Sequence, residues 1–154
     1  MKPAYHAAFG ALALLLVTTF LTATLVSELL LGQSAIVTVK TGIVYAMALL
    51  IVSMAATGGS GFFLGKGRSS PLIARKIGRM RIIAGNGLIV MLPSALFLYF
   101  RATSGQFDNT FYAVQALELA GSATQLTLLS LNFRDGLKMT EKKRSIARRR
   151  AAGA

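Results

Sequence analysis

The chain has 154 residues, 54% of them hydrophobic, with 17 Lys and Arg against 5 Asp and Glu and a formal net charge of +12; its mean hydropathy is +0.60. So basic a soluble chain would point to nucleic acid, but here the charges lie outside long apolar stretches, so the expected solvent is lipid and nucleic acid is not an expected partner. The absence of Cys excludes disulfides, thiolate metal sites and Cys nucleophiles, and a single histidine, His6, rules out a multi-histidine haem site within one chain.

Residues 7–31 form the first apolar stretch, long enough for the roughly 20 residues that a spanning helix needs. A signal peptide is the competing reading, since Lys2 precedes the apolar run. The run is too long for a signal core, and Glu28 followed by three leucines makes a poor cleavage site, so a retained first span is expected. His6 lies at its start and reads as a surface residue among lipid headgroups. Residues 41–64 form the second stretch. Ser53, Thr57, Gly61 and Gly65 recur there at four-residue steps and give a small-residue ladder for close helix packing, within the bundle or against a partner.

Between the second and third stretches lie six cations, from Lys66 to Arg81. Ser70-Pro71 is a helix-start signal, and Ile73, Ile77 and Met80 follow at helical spacing among Arg75, Lys76, Arg79 and Arg81. This pattern predicts a short basic helix over 71–81 lying in the membrane surface, its cations on anionic headgroups. The third apolar stretch covers 82–100. Asn86 near its inner end is expected to bond a neighbouring helix, and Pro93 in its middle to kink it.

The fourth stretch, 110–133, is the most polar. Gln115, Glu118, Ser122, Gln125 and Asn132 fall on one helical face, with Val114, Leu117, Leu128 and Leu131 opposite. Within a span, such a face looks into a bundle, a partner or a water-filled cavity. A carboxylate at the depth of Glu118 must be protonated, paired or hydrated. Arg101 and Glu28, from the same outer half, are its expected neighbours. The tail from 138 to 154 carries Lys142, Lys143 and Arg144 among its cations and is expected to be disordered or to lie on anionic lipid.

All Lys and Arg except Lys40 and Arg101 fall on one side of a four-span arrangement, which the positive-inside rule places in the cytoplasm. The expected fold is therefore an all-α membrane bundle of four spanning helices with both termini inside, a single membrane domain over 1–137, in the inner membrane of a bacterium. No phosphate-binding loop, nucleotide-binding glycine pattern, metalloprotease motif or nucleophile elbow occurs, and no metal or cofactor is expected. Three functions stay open. The first is an accessory or assembly subunit of an inner-membrane complex, bound to another membrane protein. The second is a small proton- or cation-coupled carrier or channel, alone or self-associated, using Glu118 with Gln115, Ser122 and Gln125. The third is a membrane enzyme resting on Glu118, Glu28 and Arg101.

Overall fold

The computed structural model describes residues 3–65 and 71–152; of the side chains at 3, 4, 62, 64, 65, 142–144, 146, 147 and 150–152 nothing is described. Lys142, Lys143, Arg144 and the Ser70 that precedes Pro71 thus lie outside what is described. The chain is all-helical among the described residues: α1 (Pro3–Leu30), α2 (Gln33–Gly65), α3 (Pro71–Gly85), a π-helical turn (Asn86–Met91), α4 (Leu92–Thr103) and α5 (Asn109–Ala152). The backbone stays right-handed helical at Gly85, Met91 and Leu92, so α3, the π turn and α4 form one continuous rod. Three rods, over Tyr5–Leu30, Gln33–Gly61 and Pro71–Thr103, are long and apolar enough to cross a membrane. α5 is the fourth.

Connections at one end of the bundle are short. Only Leu31 and Gly32 separate α1 from α2, and the Gly32 carbonyl accepts the amides of Ala35 and Ile36 at 3.0 and 3.3 Å. α2 thus begins at Gln33 rather than at 41. Ile36, Val37 and Val39 join apolar clusters of the bundle, so packing carries the helix back through a segment whose polar residues read as a loop. α4 closes on a glycine cap: Gly105 at φ 70° sends its amide to Ala102 O, while Gln106 N–H reaches Arg101 O. Asp108 then caps α5, its Oδ1 accepting the Phe111 amide at 3.0 Å.

The kink expected at Pro93 takes the form of a π turn. Proline lacks an N–H and its ring crowds the carbonyl four residues back. Widening the preceding turn relieves that clash, and the Leu92 amide bonds Gly87 O, five residues back. α5 does not stop at Asp135-Gly136 but runs on to Ala152, which replaces the expected disordered tail. Lys, Arg, Met and Ala are good helix formers, and extending an existing helix needs no new nucleus.

The burial pattern is inverted relative to a water-soluble bundle. Leu29, Leu30, Tyr45, Leu88 and Ile89 face outward, whereas Ser27, Lys40, Ser53, Ser60, Gln115, Glu118 and Gln125 are buried. Outward hydroxyls are satisfied on their own helix, as in Thr18 to Leu14 O and Thr22 to Thr18 O, both at 2.8 Å. That arrangement suits lipid, where an unbonded polar group costs several kcal/mol. Three apolar clusters fill the interior: Ile36, Leu98, Ala102 and Phe111 near the short loops; Ile43, Met47 and Ala95; and Val17, Ile83 and Leu129 towards the opposite end.

Candidate functional site

The polar face of α5 is buried within the chain's own bundle, and an ion pair is its centre. Lys40 Nζ lies 2.6 Å from Glu118 Oε2, with the two side chains 1% and 6% exposed. Their depths match. Lys40 is seven residues beyond the start of α2 and Glu118 nine beyond the start of α5, so each lies about 10–13 Å in from its loop end at about 1.5 Å per residue. Gln115, one turn earlier on α5, donates its amide to the same oxygen at 3.1 Å. A carboxylate only accepts, so this bond fixes the Gln115 amide orientation and leaves its Oε1 buried without a partner.

Glu28 of α1 completes the group. Its charge interacts with those of Lys40 and Glu118, and its Oε1 is buried with no hydrogen bond. Lys40 thus has Glu118 as its ion-pair partner, with the charge of Glu28 near enough to act on both. Arg101, expected beside Glu118, is elsewhere. It bonds Gln106 and Asp108 across the α4–α5 connection and lies 5.7 Å over the Phe97 ring. Those bonds and the Phe111 amide hold the Asp108 carboxyl below the usual carboxylate range. The local partner wins because closing a loop of a few residues costs little entropy.

Below the ion pair, α5 meets the π turn. Asn86 Nδ2 donates to Gly121 O and to Gln125 Oε1, both at 2.9 Å, in the interhelical role expected of it. Gly121 is required by this approach: a Cβ there would stand 2.8 Å from Met91 Sδ and 3.3 Å from Val90 Cγ1. Ser122 and Gln125 direct their remaining donors at thioethers, Met91 Sδ at 3.8 Å and Met54 Sδ at 3.5 Å. Sulfur is a weak acceptor, so these donors are lightly held.

At the far end of the same face, Asp135 Oδ2 accepts from Arg79 at 2.7 Å, with Asn132 Oδ1 at the edge of hydrogen-bond range. The Arg79 hydrogen bond, ahead of the other nearby cations, holds the Asp135 carboxyl below the ordinary range. Lys76 Nζ lies 3.4 Å from His6 Nε2, and His6 Nδ1 lies 3.1 Å from Thr57 O and 2.9 Å from Ser60 Oγ. Because a carbonyl only accepts, His6 carries its proton on Nδ1 and offers a lone pair to Lys76. Lys76 and Arg79, expected to point at headgroups, instead turn inward, whereas Arg75 and Arg81 are exposed. His6 is half-buried; it crosses from α1 to α2, and Gly61 leaves it room, a Cβ there lying 3.2 Å from its ring.

The small-residue ladder faces neighbours in the same chain. Thr57 packs opposite Gly10, Gly61 opposite His6 and Met80, and the Ser53 and Thr57 hydroxyls bond Leu49 O and Ser53 O. The surroundings of Gly65 lie outside the described residues, and Pro93 is exposed. Among the described residues no group of three or more His, Cys, Asp and Glu side chains could hold a metal ion. Sequence reasoning missed Lys40 as the partner of Glu118 and Asp135 as the partner of Arg79. For Lys40 the available signal was depth, once α2 is started at Gln33. No protein-family model, curated protein or solved structure matches the chain.

Proposed function

We propose that the chain is a small multi-pass membrane carrier in which Glu118, Lys40 and Glu28 bind and release one proton or small cation. One observation carries this reading: the buried Lys40–Glu118 pair is joined by a second carboxylate, Glu28, whose charge acts on both and whose Oε1 is buried and unbonded, so the fully ionised group holds one surplus negative charge. In a low-dielectric interior that surplus demands a positive occupant. The two unpartnered oxygens, Glu28 Oε1 and Gln115 Oε1, are acceptors available to it. When Glu118 takes a proton, Lys40 keeps its compensation by turning to Glu28.

In this reading α5 is the fourth span, both termini are cytoplasmic and the membrane is the inner membrane of a bacterium. The cations of the 66–81 segment and the α5 tail lie on the cytoplasmic side. α3 carries its exposed Arg75 and Arg81 at the headgroups as the inner end of a continuous rod, and α5 leaves the membrane after Phe133, with Asp135 on the cytoplasmic side. The alternative, an accessory or assembly subunit of a larger complex, draws less support. The polar face of α5, its natural docking surface, is already covered by α2, α4 and the π turn.

The test is flux in proteoliposomes carrying a pH-sensitive dye or a cation indicator inside. Glu118→Gln removes the carboxylate while keeping the acceptor for Gln115, and is expected to abolish transport; Glu28→Gln is expected to slow it. Transport unchanged in Glu118→Gln removes the carrier reading.

A further inference from the structure

Resting on that reading, the geometry points to a proton as the transported species and to the buried face of α5 as its route, with Leu129 as the gate. The face is regular. From Gln115 inward its buried positions run Gln115, Glu118, Ser122, Gln125, Leu129, Asn132 and Asp135, in steps of three or four. They extend 20 residues, or about 30 Å at about 1.5 Å per residue, which equals the thickness of a bilayer's hydrocarbon core. Phe111, buried one turn outward of Gln115, belongs to the cluster near the short loops; between Glu118 and Asp135 the apolar side chain of the series is Leu129. It packs with Val17 of α1 and Ile83 of α3, closing the face between Gln125 and Asn132.

The groups along this line suit a water-borne proton better than a bare metal ion. A metal cation needs several oxygen ligands at once, whereas a proton needs one acceptor, and among the described residues no three His, Cys, Asp or Glu side chains come together to hold a metal. Gln125 Oε1 is already taken by Asn86. A proton needs only hydrogen-bonded water. Ser122 and Gln125 spend their donors on methionine sulfur, and water is a better partner than a thioether. On the transfer step, hydronium gives its proton to the Glu118 carboxylate and leaves as water; release reverses this into the cytoplasmic end of the path at Asp135. One O–H bond of hydronium breaks as the carboxyl O–H forms, and no other bond changes. The apolar contact of Val17, Ile83 and Leu129 keeps the two ends from being wet together.

The experiment is dye-reported proton uptake into liposomes under a potassium-diffusion potential, with the parent, Leu129→Ser, Glu118→Gln and the Leu129→Ser/Glu118→Gln pair. Leu129→Ser is expected to raise uptake about tenfold, the change given by a barrier lowered by about 1.4 kcal/mol, and the pair to return it to the empty-liposome rate. Ile83→Ala, which thins the same gate from α3, is expected to act in the same direction, and its elution profile on size exclusion separates an open gate from a misfolded bundle. If uptake depends on Glu118 but neither gate variant changes it, the route lies elsewhere and the carrier reading stands. If the leak persists in the pair, it bypasses the site and the assignment of Leu129 is wrong. Transport that follows a sodium or potassium gradient without acidification overturns the proton. Uptake indifferent to Glu118→Gln in the parent overturns the carrier reading itself.

Discussion

Removing Lys40 tests the ion pair as an energetic unit. Lys40→Met leaves the 4%-exposed Glu118 without its counter-charge. Breaking a buried pair from one side costs about 3–5 kcal/mol, because the remaining charge is stranded. Glu118 escapes by carrying a proton. Neutralising an ordinary glutamate, pKa about 4.3, at pH 7 costs about 3.7 kcal/mol at about 1.36 kcal/mol per pH unit, which caps the loss. The folded variant then binds one more proton than the unfolded chain, so its stability falls as pH rises. At pH 5 the loss shrinks to about 1 kcal/mol by the same arithmetic. Unfolding in detergent titrated with a denaturing surfactant, followed by helical circular dichroism at pH 5 and pH 7, reads both values. Lys40→Met/Glu118→Gln, with no charge left to strand, should return to within about 1 kcal/mol of the parent. A Lys40→Met variant as stable as the parent at pH 7, with no slope against pH, would falsify the buried pair.

Three further outcomes follow from the contacts below and beside the pair. Asn86→Ala leaves Gly121 O and Gln125 Oε1 without their donor and should destabilise the bundle by about 1–3 kcal/mol, read by the same titration; a neutral result would mean that the π turn is not held by α5. Gly121→Ala drives a Cβ against Met91 Sδ at 2.8 Å and should cost about 1–3 kcal/mol by overpacking, a loss that Met91→Ala in the same chain relieves. Asp135, held below its ordinary range by Arg79, contributes stability present above the unfolded carboxylate value of about 3.9 and lost as pH falls through the lower folded value. Asp135→Asn should remove that acid-side loss; an unchanged acid limb would show that Arg79 does not stabilise the charged form.

The apolar rods and the polar face of α5 were legible in the sequence because both are periodic signals carried by one segment at a time. What crosses between segments was not. Lys40 sits just before the hydropathic run that starts at 41, and a lysine there reads as the end of a span. Only the packing of Ile36, Val37 and Val39 extends α2 past it and turns it inward. Arg101 was the more obvious mate for Glu118, being next to an expected span end, and no periodicity reveals that Asp108 claims it first through the turn at Gly105. The tail misled in another way: its composition resembles disorder, yet it inherits a helix already formed. His6 and Lys76 meet across 70 positions, where sequence spacing carries no information.

Charge pairing is the property that emerges only when these contacts are taken together. Arg101 answers Asp108, Arg79 answers Asp135, and Lys40 answers Glu118. Of the two carboxylates outside these pairs, Glu141 is exposed on the tail of α5, whereas Glu28 is half-buried on α1, with one oxygen buried and unbonded beside a pair already complete. A purely structural ion pair has no use for a second carboxylate, since each added charge in a low-dielectric site raises the cost of burial. A site that must give up its proton without stranding Lys40 does have such a use, because Glu28 holds the ammonium while Glu118 is neutral. Glu28→Gln therefore separates the two roles: it should leave the unfolding midpoint unchanged or raise it, while slowing proton exchange at Glu118.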